Sequence, residues 1–216
     1  LNKKIRCRSG WELLLRDFPL VFKSSLILTA VYLAAIPMIR GISNLDPARS
    51  ADCFSSSLSI LGIILIVPAM RWESGQANMG LKELLLTKSI SLRVVLTFRV
   101  VVSVLILLCL VTGFAIVMRW CGCEFPFWIY IFAATGYAIF LGLMGLLTVR
   151  INGSQTAGYL SSLGYWSLCE MKVITEKSLF WMFPVINGHV EIYKVIVLIA
   201  VDILSISIFL YLSNRY

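Results

Sequence analysis

The chain has 216 residues, of which 59% are hydrophobic and only 14% carry a charged side chain. Soluble domains carry charge on about a quarter of their residues, so this composition excludes a soluble protein and predicts an integral membrane protein. The formal net charge of +8 does not indicate nucleic acid, because the basic residues lie between the apolar runs rather than in one patch. Anionic lipid headgroups and membrane topology account for them better.

Residues 1–18 predict a helix that lies in the membrane interface. A basic cluster opens the chain, and Trp11, Leu14, Leu15 and Phe18 then follow at helical spacing. The charged side chains of this stretch lie away from that apolar stripe. Such an amphipathic pattern is typical of a helix that rests on a bilayer rather than crossing it.

Six apolar segments follow, and each is compared with the roughly 20 residues that a helix needs to cross a bilayer. They cover residues 19–39, 53–70, 94–118, 126–149, 156–172 and 192–213. The fifth is the least apolar, but its Gly, Ala and Ser residues suit close helix packing in a membrane. We therefore expect an all-α integral membrane protein with six transmembrane helices, in a single domain over residues 1–216.

The longest polar interruption, residues 72–93, lies between the second and third apolar segments. Its centre reads LKELLL, and all of these residues are good helix formers. The stretch predicts a short amphipathic helix at the membrane surface, with Lys82, Glu83 and Lys88 facing water.

The distribution of Lys and Arg predicts the orientation, because basic residues concentrate on the cytoplasmic side. Most of them fall on one side if the N-terminus is inside. Both termini and residues 72–93 are then cytoplasmic, and residues 173–191 are external. The centre of the external segment, SLFWMFPVIN, is apolar but too short to span. It predicts one or two re-entrant half-helices, broken at Pro184 and Asn187.

In residues 72–93, Glu73 and Gly75 precede the run KELLLTKSISLR, and a further Arg follows a few residues into the third span. Together with the interfacial helix, the six spans and the external apolar patch, this pattern resembles the permease subunit of a type 2 ABC exporter, the ABC-2 family. The resemblance covers nearly the whole chain. It implies a multi-pass protein of the bacterial plasma membrane whose cytoplasmic helix docks into a separate ATPase subunit.

The resemblance also implies the partners and the site residues. The partners are two copies of an ABC ATPase, a second permease subunit, identical or different, and membrane lipid, with no nucleic acid. This chain binds no cofactor itself, and ATP and Mg²⁺ belong to the ATPase. The residues assigned to ATPase coupling are Glu73, Gly75, Lys82, Glu83, Leu84, Leu85 and Lys88. The family places the first and fifth spans around the substrate path, and the expected substrate is an amphipathic, lipid-like or peptide molecule moved outward.

No catalytic residue is predicted, and the chain is not expected to be an enzyme. Residues 75–82, GQANMGLK, nearly match a phosphate-binding loop. However, Leu81 separates the second glycine from the lysine, and Glu83 occupies the position of the Mg²⁺-binding hydroxyl. No metal site is predicted either, because His189 is the single histidine and lacks a set of suitably spaced ligands.

The six cysteines leave one alternative open. Cys121, Cys123 and Cys169 fall near the predicted outer face, where one disulfide could form. Their spacing does not indicate a disulfide framework.

Asp202 lies midway along the sixth span between apolar neighbours. A carboxyl group at this depth is costly, so it must face the bundle interior, be protonated or find a partner. One interpretation is a polar contact between helices, with Arg99 as a candidate partner, although Arg99 could equally extend to a lipid phosphate. The alternative is a transporter or channel that needs no ATPase and uses Asp202 for ion coupling. The residues assigned to the substrate path are Tyr159, Ser162, Trp166 and Asp202.

Overall fold

The computed structural model describes residues 22–39, 41, 44–70, 92–174, 178, 181, 183, 185–186 and 189–214. In this part of the chain six helices form a bundle: α1 (Phe22–Ile39), α2 (Pro47–Met70), α3 (Leu92–Trp120), α4 (Phe127–Asn152), α5 (Gln155–Glu170) and α6 (Ile192–Asn214). Two short strands, β1 (Val185–Ile186) and β2 (His189–Val190), pair antiparallel before α6. Each helix overlaps one of the six predicted apolar segments, and α2 begins at Pro47, before the start of its segment at 53.

Five of these helices, α1 to α4 and α6, are long and apolar enough to cross a membrane. The prediction of an all-α, multi-pass membrane protein is confirmed at this level. Helix α5 forms where the fifth span was predicted, but it has 16 residues. At 1.5 Å per residue it is roughly 24 Å long, which is shorter than the hydrocarbon core of a bilayer, about 30 Å.

Helices α2 and α4 form the centre of the bundle. In their most apolar stretches 94% of the residues of α2 and 72% of those of α4 are buried, against 22% to 28% in α1, α3 and α6. The three outer helices carry exposed apolar side chains such as Val31, Leu105 and Ile203. This is the pattern of helices that face lipid on one side and protein on the other.

Small residues allow α2 and α4 to approach each other closely. A Cβ atom added to Gly62 of α2 would overlap the carbonyl group of Ala138 in α4 and lie 2.9 Å from its Cα atom. One turn further on, Gly142 of α4 contacts Ile66 of α2. Close approach at small residues is the usual mode of helix packing in membranes.

The same mode of packing joins α4 to α5. A Cβ atom added to Gly158 would lie 2.7 Å from the carbonyl oxygen of Gly145. Beside this contact the hydroxyl of Ser162 donates to the carbonyl oxygen of Leu141 at 2.9 Å. Gly158 and Ser162, two of the small residues that make α5 the least apolar segment, therefore lie in its contact with α4.

The contacts fix the directions of the helices. Gly62 and Ile66 meet successive turns of α4, so α2 and α4 run in the same direction and both end at one end of the bundle. We call this end, where α3 and α5 begin, the Met70 end. The opposite end, where α4 begins, is the Phe127 end.

The segment between α5 and α6 returns into the bundle from the Phe127 end. Trp181, Phe183 and Val185 are buried, and the ring of Phe183 packs on that of Tyr137 with centroids 5.0 Å apart. Tyr137 lies about ten residues along α4 from Phe127, a depth of roughly 15 Å. The described residues of this apolar patch therefore contact the interior of the bundle.

The predicted half-helices are not confirmed, because the described residues on both sides of Asn187 are extended. Val185–Ile186 pairs with His189–Val190 as a two-stranded antiparallel ladder. The sequence explains this pairing, because positions 187 and 188 are Asn-Gly, the dipeptide that most strongly favours a two-residue hairpin turn. Proline at position 184 also lacks the N–H that a helix would need there.

Residues 1–18 and 72–91 lie outside the described part of the chain. The interfacial helix and the coupling helix predicted for them remain predictions.

Candidate functional site

The largest departure from regular helix lies in the first half of α2. The helix begins as an α-helix at Pro47–Asp52, passes through a π-helical turn at Cys53–Ser57 and resumes as an α-helix at Ile60–Ile66. In the π-helical turn the N–H of Leu58 donates to the carbonyl oxygen of Cys53 at 3.0 Å. A π-helical turn shifts the carbonyl groups around it out of register and is frequent at functional sites.

Serine residues explain why the helix is irregular here. Their hydroxyls compete for backbone groups and disfavour a regular helix interior. The serines at positions 50, 55, 56, 57 and 59 are all buried, with at most 7% of each exposed. Sequence reasoning did not single them out, although a run of hydroxyls inside an apolar segment is the signal that marks them.

Two carbonyl oxygens of this stretch accept hydrogen bonds from other helices. The carbonyl oxygen of Ser56 accepts from Nε1 of Trp166 in α5 at 3.0 Å. The carbonyl oxygen of Ser57 accepts from the hydroxyl of Tyr32 in α1 at 2.9 Å. We call these two carbonyl groups and their two donors the serine node. It joins α2 to the two helices that correspond to the first and fifth predicted spans.

The segment before α6 also reaches this region. The hydroxyl of Ser55 donates to the carbonyl oxygen of Val185 in β1 at 3.0 Å. The neighbouring Phe54 packs edge to face on Tyr130, with ring centroids 5.5 Å apart. Four separate parts of the chain therefore meet in one polar region inside an apolar bundle.

The structure divides the predicted substrate-path residues among different places. Trp166 belongs to the serine node, whereas the hydroxyl of Ser162 is fully buried in the contact between α4 and α5. Tyr159 is partly buried and, like Trp166, packs against the group of buried apolar side chains that includes Tyr137 and Phe140. Tyr159, Ser162 and Trp166 lie on one helix, but only Trp166 reaches the node.

Asp202 lies apart from the node, on the side of α6 that packs against α4. It is 8% exposed and shares a buried stripe with Leu198, Ser205 and Phe209. Leu198 lies against Gly136 of α4. The carboxyl oxygen Oδ1 is buried and has no hydrogen-bond partner in the described part of the chain. Asp202 therefore faces the bundle interior, which is one of the three alternatives that the sequence left open.

Arg99, which the sequence suggested as a partner of Asp202, forms a hydrogen bond with α2 instead. Its Nη1 donates to the carbonyl oxygen of Ala69 at the end of α2, at 3.1 Å. Only 7% of Arg99 is exposed, so its side chain turns into the bundle at the Met70 end. The structure therefore assigns Arg99 to the contact between α2 and α3.

The described residues offer no obvious place for bound metal. They hold no group of three or more His, Cys, Asp or Glu side chains that could bind an ion. The described cysteines, Cys53, Cys109, Cys121, Cys123 and Cys169, are not joined in disulfides. The disulfide left open by the sequence is therefore not formed among them.

The coupling residues predicted at positions 73 to 88 lie outside the described part of the chain. Comparisons with protein families, with curated proteins and with solved structures find no match. Any functional interpretation therefore rests on the sequence pattern and on the contacts inside the bundle.

Proposed function

We propose that the chain is the transmembrane permease subunit of an ATP-driven type 2 ABC exporter in a bacterial plasma membrane. It acts as a dimer with two separate ATPase subunits and moves an amphipathic, lipid-like or peptide substrate outward. The observation that carries the proposal is the polar segment at 72–91 between α2 and α3. Its pattern suits a docking helix, and the two helix ends that flank it are hydrogen-bonded to each other through Arg99 and Ala69.

In this proposal the Met70 end faces the cytoplasm, where the segment meets the ATPase. A short amphipathic helix binds a groove on a partner through a few apolar anchors, and neighbouring charges fix its register. Leu84 and Leu85 supply the anchors, with Glu83 and Lys88 beside them. ATP and Mg²⁺ stay on the ATPase, and the permease receives movement rather than nucleotide.

The substrate path in this proposal passes the serine node. The node lies where α1, α2 and α5 meet, and it holds two donors, the Tyr32 hydroxyl and the Trp166 indole N–H, against backbone carbonyl groups. When α1 and α5 separate from α2, both the donors and the carbonyl groups become available. Such groups suit the polar part of an amphipathic molecule whose apolar part contacts the surrounding helices.

A second candidate function rests on Asp202. A buried carboxyl oxygen without a hydrogen-bond partner inside an apolar bundle is the kind of group that ion-coupled transporters use. In that case transport would need no ATPase, and Asp202 would bind and release the coupling ion. We place this second because the bundle offers a single such group among the described residues.

The proposal predicts that a neighbouring gene encodes a P-loop ATPase without membrane spans, and the experiment that tests it is retention of that ATPase. The purified permease should retain it in a detergent pull-down. Leu84→Asp or Leu85→Asp should abolish retention while the permease stays inserted, because a carboxylate cannot enter an apolar groove without a partner. Asn78→Asp is the control, since it adds the same charge without removing an anchor. Full retention and full ATP hydrolysis in both leucine variants would contradict the proposal.

A further inference from the structure

The last turn of α2 is weakly held by its own backbone. Val67–Met70 is a 3₁₀ turn, and all four residues are buried. Pro68 has no N–H to donate to the preceding turn, and the final carbonyl groups of any helix lack donors from within the helix. Unsatisfied carbonyl groups in an apolar bundle are costly, so other parts of the chain must supply the donors.

Helix α3 supplies them through side chains. Nη1 of Arg99 donates to the carbonyl oxygen of Ala69 at 3.1 Å. One turn further along α3, the hydroxyl of Ser103 lies 3.1 Å from the carbonyl oxygen of Leu65 and 2.9 Å from that of Arg99, and it shares its proton between them. Both side chains are buried. The guanidinium charge also lies at the C-terminal end of α2, where the helix dipole favours a cation.

These contacts join the two helix ends that flank residues 71–91. A displacement of that segment pulls on Met70 and Leu92 together. A 3₁₀ turn has poorer hydrogen bonds than an α-helix, so without a second attachment it would deform and absorb the displacement. Hydrogen bonds from Arg99 and Ser103 oppose that deformation.

Helix α2 can carry the movement further because it is packed on all sides. It meets α4 through the close contact at Gly62, and it meets α1 and α5 through the serine node. A shift of α2 along its axis therefore changes the positions of the Ser56 and Ser57 carbonyl groups relative to their donors. The contact at Arg99 and the serine node thus lie on one packed helix, at Ala69 and at Ser56 and Ser57.

We propose that Arg99, supported by Ser103, is a positioning residue that transmits movement of residues 71–91 to α2 and through it to the serine node. The inference rests on the proposed function, because the ATPase supplies the movement. It assigns Arg99 a role in transmission and none in binding the ATPase. A variant without the Arg99 side chain should therefore still bind the ATPase, but its helix bundle should no longer respond to nucleotide.

The test uses the full permease bound to its ATPase in lipid nanodiscs. Hydrogen–deuterium exchange of the peptide covering residues 52–59 is compared between the nucleotide-free state and the state trapped with ATP and orthovanadate. The variants are Arg99→Met, which removes the charge and the donor, and Arg99→Lys, which keeps both. Arg150→Met is the matched control, since it removes the same charge at the Met70 end from α4 rather than from α3.

In the wild type and in Arg150→Met we expect trapping to change deuterium uptake at the node by about twofold or more, because exchange reports local opening. In Arg99→Met the ATPase should stay bound, and the change in uptake should disappear. Arg99→Lys should restore at least part of the change. If Arg99 only stabilised the fold, its loss would raise deuterium uptake equally in the nucleotide-free and the trapped state. The difference in uptake between the two states would then remain.

Several outcomes would overturn the inference. A normal nucleotide-dependent change in Arg99→Met would do so, as would the absence of any change in the wild type while the ATPase is bound. Loss of ATPase binding in Arg99→Met would make Arg99 a docking residue instead. If Arg99→Met does not fold, Arg99→Gln decides, because it removes the charge and shortens the side chain but keeps a polar group; a change of wild-type size there would contradict the inference. Failure of the wild-type permease to bind any ATPase would instead refute the proposed function itself.

Discussion

Replacement of Gly62 by alanine tests the contact at the centre of the bundle. The new Cβ atom would overlap the carbonyl group of Ala138 and lie 2.9 Å from its Cα atom. Because these are backbone atoms, no side-chain rotation can relieve the overlap, and α2 and α4 must move apart. Alanine gains up to about 1 kcal/mol of helix preference, whereas overpacking in a filled core costs about 1–3 kcal/mol, or more where the backbone must move.

We therefore expect Gly62→Ala to lower the free energy of unfolding by about 2 kcal/mol, taking the upper end of the overpacking cost. For a chain of this size that corresponds to a fall of roughly 5 °C in the melting temperature. The matched control is Gly113→Ala in α3, where an added Cβ meets no atom within 4 Å.

Thermal unfolding in detergent, followed by fluorescence-detected size-exclusion chromatography, measures the difference. Gly113→Ala should melt at the wild-type temperature or slightly above it. If Gly62→Ala melts together with Gly113→Ala, the close approach of α2 and α4 is wrong. The result bears on the packing alone and does not depend on the proposed function.

Three further predictions concern topology and polar groups. Reporter fusions should place Gln76 in the cytoplasm and Glu176 outside; an external Gln76 would refute the coupling segment. Asp202→Asn should keep most transport and cost roughly 0.6 kcal/mol, the average for polar contacts between membrane helices, whereas a folded variant without transport would favour the ion-coupled alternative. Tyr32→Phe should lower the melting temperature more than Ser59→Ala, because each removes one hydroxyl but the carbonyl group bonded to Ser59 keeps the Trp166 N–H as a second donor; equal losses would contradict this reasoning.

The helices were predictable because membrane spans are encoded locally, by the length of each apolar run. The start of α2 was the main exception, since the apolar run begins at 53 and the helix begins at Pro47. Arg49 and Asp52 lower the apolarity of its first turns. Proline at the first helical position is a start signal that a hydropathy criterion does not weigh.

The serine node could not be predicted as a site, because its groups are far apart in the sequence. Tyr32, Ser56 and Trp166 meet only when three helices are packed together. Apolar periodicity indicates which face of a helix is buried, but not which residue of another helix it meets. Of the predicted path residues, Trp166 was the one whose side chain takes part.

The burial of Asp202 was predictable from the cost of a carboxyl group at that depth. Its pairing was not, because the position of Arg99 depends on the carbonyl groups left open at the end of α2. The weak last turn of α2 was visible in the sequence only as a single residue, Pro68. The sequence alone does not show which side chain would satisfy that turn.

The short length of α5 has a consequence for the permeability of the bundle. A helix that stops early would leave a water-filled depression at the Phe127 end, and a thin barrier there would let ions leak down their gradients. Trp181 and Phe183 fill this space, with their rings edge to face at 5.2 Å, and Nε1 of Trp181 donates to the carbonyl oxygen of Cys169 at 3.1 Å. If the chain is the proposed permease, a molecule leaving toward that end has to displace these rings or pass sideways between helices into the lipid. The same few side chains would then seal the resting bundle against ions and limit the routes by which a substrate leaves.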